Sequence, residues 1–514
     1  MSKRIVVNVG LLETRVAVQE GNLLTELYLE RHRHRSIVGS VYKGTVTNVL
    51  PGMQAAFVDI GLAKDAFLYA GDYTTNLADV SRSMLAAAEE DVDPDVEIDG
   101  DDEEPKRPAA GPIEELLSRG QTVLVQVSKE SLGTKGARIT SFISLPGRYV
   151  VYMPQARHVG VSRRIRDDRE RDRLRGALRG LDLPPGGFIL RTNAEGKGEA
   201  EFAHDVEFLS RLWAQIQGRF ETAAAPAALH EEGDLTFRVV RDLFSPEVDE
   251  FVVDDRAAHD KVLGYVQALV PALAARVRLY GERAPVFDAF GIEKDIEKAL
   301  RRRVWLKSGG YIVIDHTEAL VSIDVNTGKY VGKRDFEQTV LKINLEAVNE
   351  VVRQIRLRDL GGIIIIDFID MEVPEHREQV YKAVKRALAE DKARTNVLQI
   401  SELGLVEMTR KRVRQDLRAL LSQSCPTCRG TGVVKSNETL ATEVYRAVQA
   451  KAAAGAPPGE GHEIVARVHP DLAAYLDGEG RPDLQRLEAA LEVKISVQSA
   501  PEQSQREDYD VRVR

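Results

Sequence analysis

Three oxygen-bearing side chains stand where chemistry can be done. Asp324 closes the strand-like run "LVSID" and Asp367 closes "IIIID", and carboxylates that end strands of one sheet converge at its carboxyl edge, where α/β proteins place their ligands. In the extended step "DVN" residues i and i+2 face the same way, which lets Asn326 join Asp324. Two carboxylates, an amide oxygen and water make a hard-oxygen site suited to magnesium, a cation that keeps several waters and also takes phosphate oxygens. The competing reading is that strand-end aspartates merely cap the loops that follow. A nucleophile–base pair is hard to build, because His316 and His376 lie in turn-like segments with no partner visible. A phosphate-cradling loop also fails: "GKYVGK" (328–333) is one residue short of G-x-x-x-x-G-K-[ST] and lacks its hydroxyl. Metal-assisted phosphoryl chemistry is what remains.

A second place is "SQSCPTCRGTG", which holds both cysteines of the chain, Cys425 and Cys428. C-x-x-C supplies two of the roughly four ligands of a structural zinc. A redox pair would open a helix in a thioredoxin-like unit, whereas this one runs into "RGTG", a turn. His462 is the nearest downstream histidine, but a Pro/Gly-rich linker separates it from the pair and it has no second histidine at ligand spacing. The simplest four-thiolate site takes two cysteines from each of two chains, so that zinc binding energy becomes association energy.

The elements that must position these groups follow from apolar periodicity. "RIVVNV", "TRVAVQ" and "LLTELYLE" read as an antiparallel meander, and the short strands with Gly-rich turns from Val38 to about Ile143 as a small barrel of the OB type. Residues 148–235 alternate the strands "RYVVYMP" and "GFILRTNA" with an arginine-rich helical stretch. "LTFRVV" then predicts a strand, and "IEKDIEKALRRRVWL" a helix. "YIVIDHTEALVSIDVNTG" predicts a hairpin, "GGIIIIDFIDM" a fully buried strand, and "FEQTVLKINLEAVNEVVRQIRL" an amphipathic helix burying Phe336, Val340, Ile343, Ala347, Val351 and Ile355. Past the cysteines, the last 50 or so residues predict a small α+β unit after a flexible linker.

Composition bounds the setting. The 514 residues carry a net charge of -9, which looks wrong for a nucleic-acid binder until it is located. Residues 89–104 hold 11 acidic residues and no basic ones; without them the 80 acidic residues fall to 69, against 71 basic. That segment is too charged to fold and predicts a disordered insertion in a barrel loop. With no run of 18 apolar residues and both cysteines in one pair, the sequence predicts a soluble cytoplasmic protein without transmembrane segments or a secreted disulfide framework.

Six long motifs, "LPGMQAAFVDIG", "ARITSFISLPG", "FILRTNA", "SGGYIVIDHTEALVSIDVNTG", "LRDLGGIIIIDFIDM" and "CPTC", resemble in this order those of the bacterial ribonuclease E and G family of endoribonucleases. The likeness covers nearly the whole chain apart from the acidic insertion, and the compact length resembles the G type. It implies a multidomain α/β and α+β fold: an RNase H-like fold divided between 1–37 and 236–300, an OB-fold RNA-binding domain at 38–143 carrying the insertion at about 85–110, and a 5′-sensor domain at 144–235. A DNase I-like catalytic domain at 301–421, a zinc link at 422–435 and a small C-terminal domain at 436–514 would follow. Asp324 and Asp367 would hold the catalytic magnesium, with Asn326 positioning the scissile phosphate. Arg191 and Thr192 would bind the 5′-monophosphate of the RNA, helped by backbone at Gly147 and Val151. Phe57 and Phe67 would stack bases, although the barrel core is an equal claimant for both, and Lys129 and Lys135 would contact the RNA backbone. The resemblance also implies a zinc shared between Cys425 and Cys428 of two chains, hence a homodimer with or without further assembly.

The expected function is therefore metal-dependent endonucleolytic cleavage of single-stranded RNA in rRNA maturation and mRNA decay, stimulated by a 5′-monophosphate and leaving 5′-phosphate and 3′-hydroxyl ends. The rivals are a non-catalytic RNA-binding scaffold of the same fold, and a metal-independent ribonuclease that uses a histidine pair and leaves cyclic phosphate ends.

Overall fold

The computed structural model describes residues 2–33, 35–73, 111–130, 136–162, 165–328, 336–389, 391–398, 401, 404–412, 414–455, 463–501 and 505–514. The acidic insertion at about 85–110 and Lys135 lie outside the described residues. The chain forms two compact units, Met1–Leu417 and Arg418–Arg514.

In the first unit the opening meander forms as its alternation demands, with Lys3–Val9, Glu13–Glu20 and Leu23–Arg31 pairing antiparallel. Its free edge is extended in parallel by two strands from far along the chain, Glu250–Val253 and then Val277–Leu279. Ile5, Val7, Val16 and Val18 bury one face against the helices Leu235–Asp242 and Arg256–Leu269. The first of these is "LTFRVV", expected as a strand. The β-branched composition suggested extension, but Asp234 accepts a hydrogen bond from the Phe237 amide at 2.9 Å and caps a helix whose Leu235, Thr236, Val239 and Val240 are buried. The cap and the burial of one helical face outweigh an intrinsic preference of a few tenths of a kcal/mol per residue.

Five strands, Val41–Leu50, Ala55–Asp59, Ala66–Tyr69, Thr122–Lys129 and Arg138–Thr140, close into a barrel, because Val41–Leu50 pairs with both its sequence neighbour and Thr122–Lys129. Val46, Ala56, Val58, Leu68, Val125 and Ile139 fill it. Gly44 is required by the close approach of two strands, since a Cβ there would lie 2.5 Å from Val58 Cγ1. A third sheet runs Val159–Val161, Gly187–Leu190, Val150–Met153, Leu145–Pro146. It packs on the arginine-rich helix Asp168–Arg179 and on Glu199–Thr222, a helix of 24 residues absent from the sequence reading. Its signal was present in the spacing of Phe202, Val206, Leu209 and Ile216, all buried.

The fourth sheet has the order Arg303–Trp305, Tyr311–His316, Leu320–Asn326, Gly362–Asp367, Leu405–Arg410, Thr395–Val397. Two expectations change here. "IEKDIEKALRRRVWL" is not one helix: Ile292–Ala299 is helical, and "RVW" becomes an edge strand of the sheet. "GGIIIIDFIDM" is not buried on both sides, for the helices Phe336–Arg358 and Pro374–Leu388 cover one face, burying Ile364 and Ile366, while Ile363 on the other is 48% exposed. One sheet face is therefore open. The helix Phe336–Arg358 buries Val340, Ile343, Ala347, Val351 and Ile355 as its spacing predicts. Its last turn is tied to the first sheet by Arg356, which donates to Glu20 at 2.8 Å and Glu26 at 3.0 Å.

The second unit has a three-stranded sheet, Lys494–Ser499, Glu463–Val468, Tyr509–Val513, packed on the helices Asn437–Gly455, Pro470–Asp477 and Arg481–Leu491. The small α+β unit expected for the last 50 or so residues is larger than that: the helix Asn437–Gly455, ahead of the Pro/Gly stretch, puts Leu440, Val444 and Val448 into the same core, and residues 456–462, with His462, lie outside the described residues.

Candidate active site

Alternation along two neighbouring strands fixes where the carboxylates point. Val321, Ile323 and Val325 of Leu320–Asn326 are buried, as are Ile364 and Ile366 of Gly362–Asp367, so the intervening residues take the open face. The two strands pair in parallel and Asp324 stands directly opposite Asp367. Both aspartates are exposed. Asn326, two residues on and on the same face, donates its Nδ2 to Asp324 Oδ2 at 2.7 Å. The sequence put these three residues in one site, and the structure brings them together.

The loops around the pair are held from beneath. Asn344 is fully buried in the helix Phe336–Arg358 and clamps the chain after Asp367, donating Nδ2 to the Ile369 carbonyl at 2.8 Å and accepting from its amide at 3.1 Å. Glu337 accepts from the Glu372 amide at 2.9 Å and pairs with His376 Nδ1 at 3.1 Å. His376 is thus neither turn-like nor unpartnered, as the sequence suggested; it lies in the first turn of Pro374–Leu388, buried, and its partner is a loop-fixing carboxylate. On the other side, Gly328 has φ +63° and a Cβ there would meet the Gly309 carbonyl oxygen at 2.3 Å, so the turn after Asn326 needs glycine.

Burial, followed by the charges of Asp324 and Asp370, pushes the Asp367 carboxyl above its ordinary pKa. Crowded like charge is the condition that a bound cation relieves. Among the described residues no group of three or more His, Cys, Asp or Glu side chains is arranged to hold a metal. A two-carboxylate face with water to complete the shell falls below that count and suits magnesium, which relies on one or two carboxylates and on substrate phosphates.

On the barrel, Ala56, Val58, Ala66 and Leu68 point inward, which turns Phe57 and Phe67 outward; the core does not claim them. They are cross-strand partners with ring centroids 5.5 Å apart. Phe67 also pairs in register with Arg138, and Arg138 with Lys129, so two rings and two cations form one row across four strands. Tyr69, missed in the sequence, continues the ring line at 4.5 Å from Phe67 and is 40% exposed, with the Arg138 guanidinium over its ring. The i, i+2 spacing of Phe67 and Tyr69 was the available signal.

In the third sheet Arg191 leaves the end of Gly187–Leu190, its amide bonded to the Tyr149 carbonyl at 2.8 Å. Its Nη1 donates to Asp242 at 2.7 Å and to the Gly147 carbonyl at 2.6 Å. The Gly147 amide is itself taken by the Val150 carbonyl at 2.8 Å, so Gly147 acts here by orienting the guanidinium. A Cβ at Gly147 would come within 2.5 Å of Asp205, whose carboxylate receives the amides of Arg148, Tyr149 and Val150. Arg148 caps the end of Leu235–Asp242 through the carbonyls of Val240 and Phe244 and so brings Asp242 to Arg191. Thr192 lies 3.2 Å from the Ser162 hydroxyl, and Val151 is a half-buried strand residue opposite Ile189.

Burial opposes charge on Asp242, but Arg191 and Arg241 outweigh it and hold its carboxyl down at about 2. A depressed carboxylate stabilises the fold above its unfolded pKa near 4 and loses that contribution as pH falls toward about 2. Asp242→Asn is expected to cost about 1–3 kcal/mol at neutral pH, with the gap to the unsubstituted protein closing between about pH 4 and 2. Denaturant unfolding at stepped pH checks this, and a pH-independent gap would mean that packing rather than charge is lost.

In the second unit Cys425 is exposed and Cys428 half-buried, both free thiols. They sit in a chain of turns ahead of Asn437–Gly455 and open no helix.

Residues 144–413 match the profile of the Ribonuclease E/G family, and residues 424–513 the one described as RNase E/G, Thioredoxin-like domain. The chain is 42% identical over 511 residues to Ribonuclease G of Escherichia coli (strain K12), covering 99% of both proteins. To Ribonuclease G of Haemophilus influenzae it is 43% identical over 444 residues, 86% of each. To Ribonuclease E of Escherichia coli (strain K12) it is 36% identical over 490 residues, 95% of this chain and 44% of that protein. Likeness at this level along nearly the full length of both partners goes beyond one shared domain, and the chain belongs to the Ribonuclease E/G family.

Proposed function

We propose that the protein is a magnesium-dependent endoribonuclease that cuts single-stranded RNA in rRNA maturation and mRNA decay, leaves 5′-phosphate and 3′-hydroxyl ends, and is stimulated by a 5′-monophosphate on its substrate. The observation that carries this reading is the direct opposition of Asp324 and Asp367 on an open sheet face, with Asn326 bonded to the first. The names Ribonuclease G and Ribonuclease E borne by the relatives agree with its ribonuclease part. We read the sheet of three antiparallel strands extended by two parallel ones as the RNase H-like fold, the closed barrel as the OB-fold, the third sheet as the 5′-sensor and the fourth as the DNase I-like catalytic domain. The cytoplasm, where thiols stay reduced, is the proposed setting. No described helix is long and apolar enough to cross a membrane.

Asp324 and Asp367 would hold magnesium. When bound, it supplies the charge that activates an attacking water and offsets the charge that builds on the phosphate. Asn326 fixes the orientation of the Asp324 carboxylate and offers its amide to the scissile phosphate. Phe57, Phe67 and Tyr69 would stack unpaired bases while Lys129 meets the backbone, with Arg138 held by Asp72 at 2.6 Å and bracing the Tyr69 ring, a combination of rings and cation that suits single strands of any sequence. Two copies of the chain would share one zinc through Cys425 and Cys428 and form a homodimer.

The test is the chemistry of the product ends on one labelled single-stranded RNA, with and without a chelator. Ends carrying 5′-phosphate, lost on chelation and restored by magnesium, are expected. Cyclic phosphate ends, or cleavage indifferent to chelator, would point to the metal-independent rival, and binding without cleavage to the scaffold.

Arg191→Ala is expected to remove the preference for 5′-monophosphorylated RNA, since a charge-assisted contact contributes about 1.5–3 kcal/mol, while RNA with a 5′-hydroxyl is cut nearly as before. Comparing the two substrates checks it. An equal fall on both would leave Arg191 only its structural role as partner of Asp242.

A further inference from the structure

The open face of the fourth sheet carries more than the carboxylates. Trp305 is 63% exposed, the most solvent-accessible large aromatic side chain among the described residues. It belongs to the edge strand that the sequence reading had taken for helix. Register places it: Trp305 is opposite Tyr311, and Tyr311 is opposite Asn326. Two residues away along the strands, Arg303 is opposite Val313, Val313 opposite Asp324, and Asp324 opposite Asp367. The two rows cross the same face side by side, one ending at the amide and the other at the carboxylate pair. Ring centroids of Trp305 and Tyr311 are 5.3 Å apart, edge to face, and the Arg303 guanidinium lies 4.4 Å from the Tyr311 centroid and 5.8 Å from that of Trp305. Arg303 has no carboxylate partner among the described residues and faces the two rings.

We infer that Trp305, braced by Tyr311, is a stacking platform for an unpaired nucleobase of the RNA next to the cleaved bond, and that Arg303 receives the phosphate beside that base. The inference rests on the nuclease reading. A tryptophan face left in water at the rim of a phosphoryl site gains by covering itself with an aromatic base, and stacking of this kind tolerates any base because every base has a π-face. Two strand spacings, about 10 Å, separate the Trp305 backbone from that of Asn326, a reach of about one or two nucleotides of extended single strand. A nucleotide pinned there would hold the scissile phosphate over Asp324 and Asp367, which is how binding energy away from the reacting bond is turned into orientation. The face is charge-rich, with Arg303, Asp324, Asp367 and Glu407 exposed. That argues against a second protein chain, because the centres of protein–protein interfaces are depleted of charge; with three carboxylates to one arginine, RNA would approach the carboxylate end only with the cation of the proposed site and by its phosphate at Arg303.

The chain has two tryptophans, Trp213 and Trp305. In a full-length Trp213→Phe, Asp367→Asn protein, Trp305 is the sole reporter and the RNA stays uncut. Short single-stranded RNA should quench its emission, and an RNA with one abasic position scanned along it should fail to quench at one or two neighbouring positions. In the cleaving protein, Trp305→Ala should lower kcat/KM roughly 5- to 100-fold, Trp305→Phe should recover most of it, and the abasic RNA should lose nothing further with Trp305→Ala. RNA that binds by anisotropy without changing Trp305 emission overturns the platform and leaves the nuclease reading intact. Emission that changes with protein concentration in the absence of RNA assigns the face to a second copy and likewise overturns it. A chain that binds no single-stranded RNA ends both readings.

Discussion

Asp324→Asn or Asp367→Asn is expected to lower cleavage of single-stranded RNA by about a thousandfold or more, on the order of 4 kcal/mol in the barrier, with RNA affinity changed by less than about threefold. Asparagine keeps the size and polarity of aspartate and removes the charge. Both side chains lie exposed on the open sheet face, so neither substitution opens a cavity or leaves a buried group unsatisfied. The stability of either variant should therefore be no lower than that of the unsubstituted protein, and Asp367→Asn, which removes a charge crowded by Asp324 and Asp370, should be slightly more stable at neutral pH. What is lost is half of the anionic pair, and with it the affinity for the hard divalent cation that Asp324 and Asp367 are proposed to hold. The rings and cations of the barrel are untouched, which is why binding survives. Asp324→Asn also turns the Asn326 contact from charge-assisted into neutral, so of the two it should respond less to added magnesium. Single-turnover cleavage over a magnesium series, with anisotropy on the same RNA, measures both quantities. Near-normal turnover by both variants in saturating magnesium would dismiss the two-carboxylate site.

The residues of this site were legible in the sequence because strand-end carboxylates leave a local signature: an apolar run, then Asp. Their opposition was not, because Leu320–Asn326 and Gly362–Asp367 are joined by a helix, and parallel register is fixed by packing between distant segments. Nor was the openness of the sheet. Four consecutive isoleucines read as a strand buried on both faces, yet helices cover only one, and Ile363 remains in water with Asp367. Asn344 shows the same limit from the other direction. It sits beside Ile343 on the buried face, where a polar residue looks like a defect in the apolar stripe, and only the Ile369 backbone that it clamps explains it. Trp305 was hidden because "RRRVW" continues a helical pattern and the edge strand exists only through pairing with Tyr311. Chemistry-bearing residue types are local information, while the face that each one takes belongs to the assembled sheet.

Cys425→Ser with Cys428→Ser is expected to give metal-free protein whose dimer dissociates at concentrations where the unsubstituted protein stays paired, with a large loss of activity. The geometry of the segment supports a metal knuckle. The Arg429 amide bonds to the Cys425 carbonyl at 2.8 Å and the Thr431 amide to the Cys428 carbonyl at 2.9 Å, while Arg429, Gly430 and Gly432 all have positive φ. These turns keep Cys425 and Cys428 within one tight backbone knuckle. Backbone amides of Cys428 and Thr427 lower the Cys425 pKa and favour the thiolate that zinc needs. A tetrahedral site wants about four ligands, and the chain contains no third cysteine. A second copy supplies the missing pair most simply, and the part of the zinc affinity gained on passing from two thiolates to four would then favour association, structural zinc sites binding with on the order of 10–16 kcal/mol in total. The expected stoichiometry is one zinc per two chains, and a chelator strong enough to strip it should reproduce the double substitution. Elemental analysis with sedimentation across a dilution series decides the matter. One zinc per chain, or a double variant that stays fully dimeric and active at nanomolar concentration, would refute the shared site and return Cys425 and Cys428 to a role within a single chain.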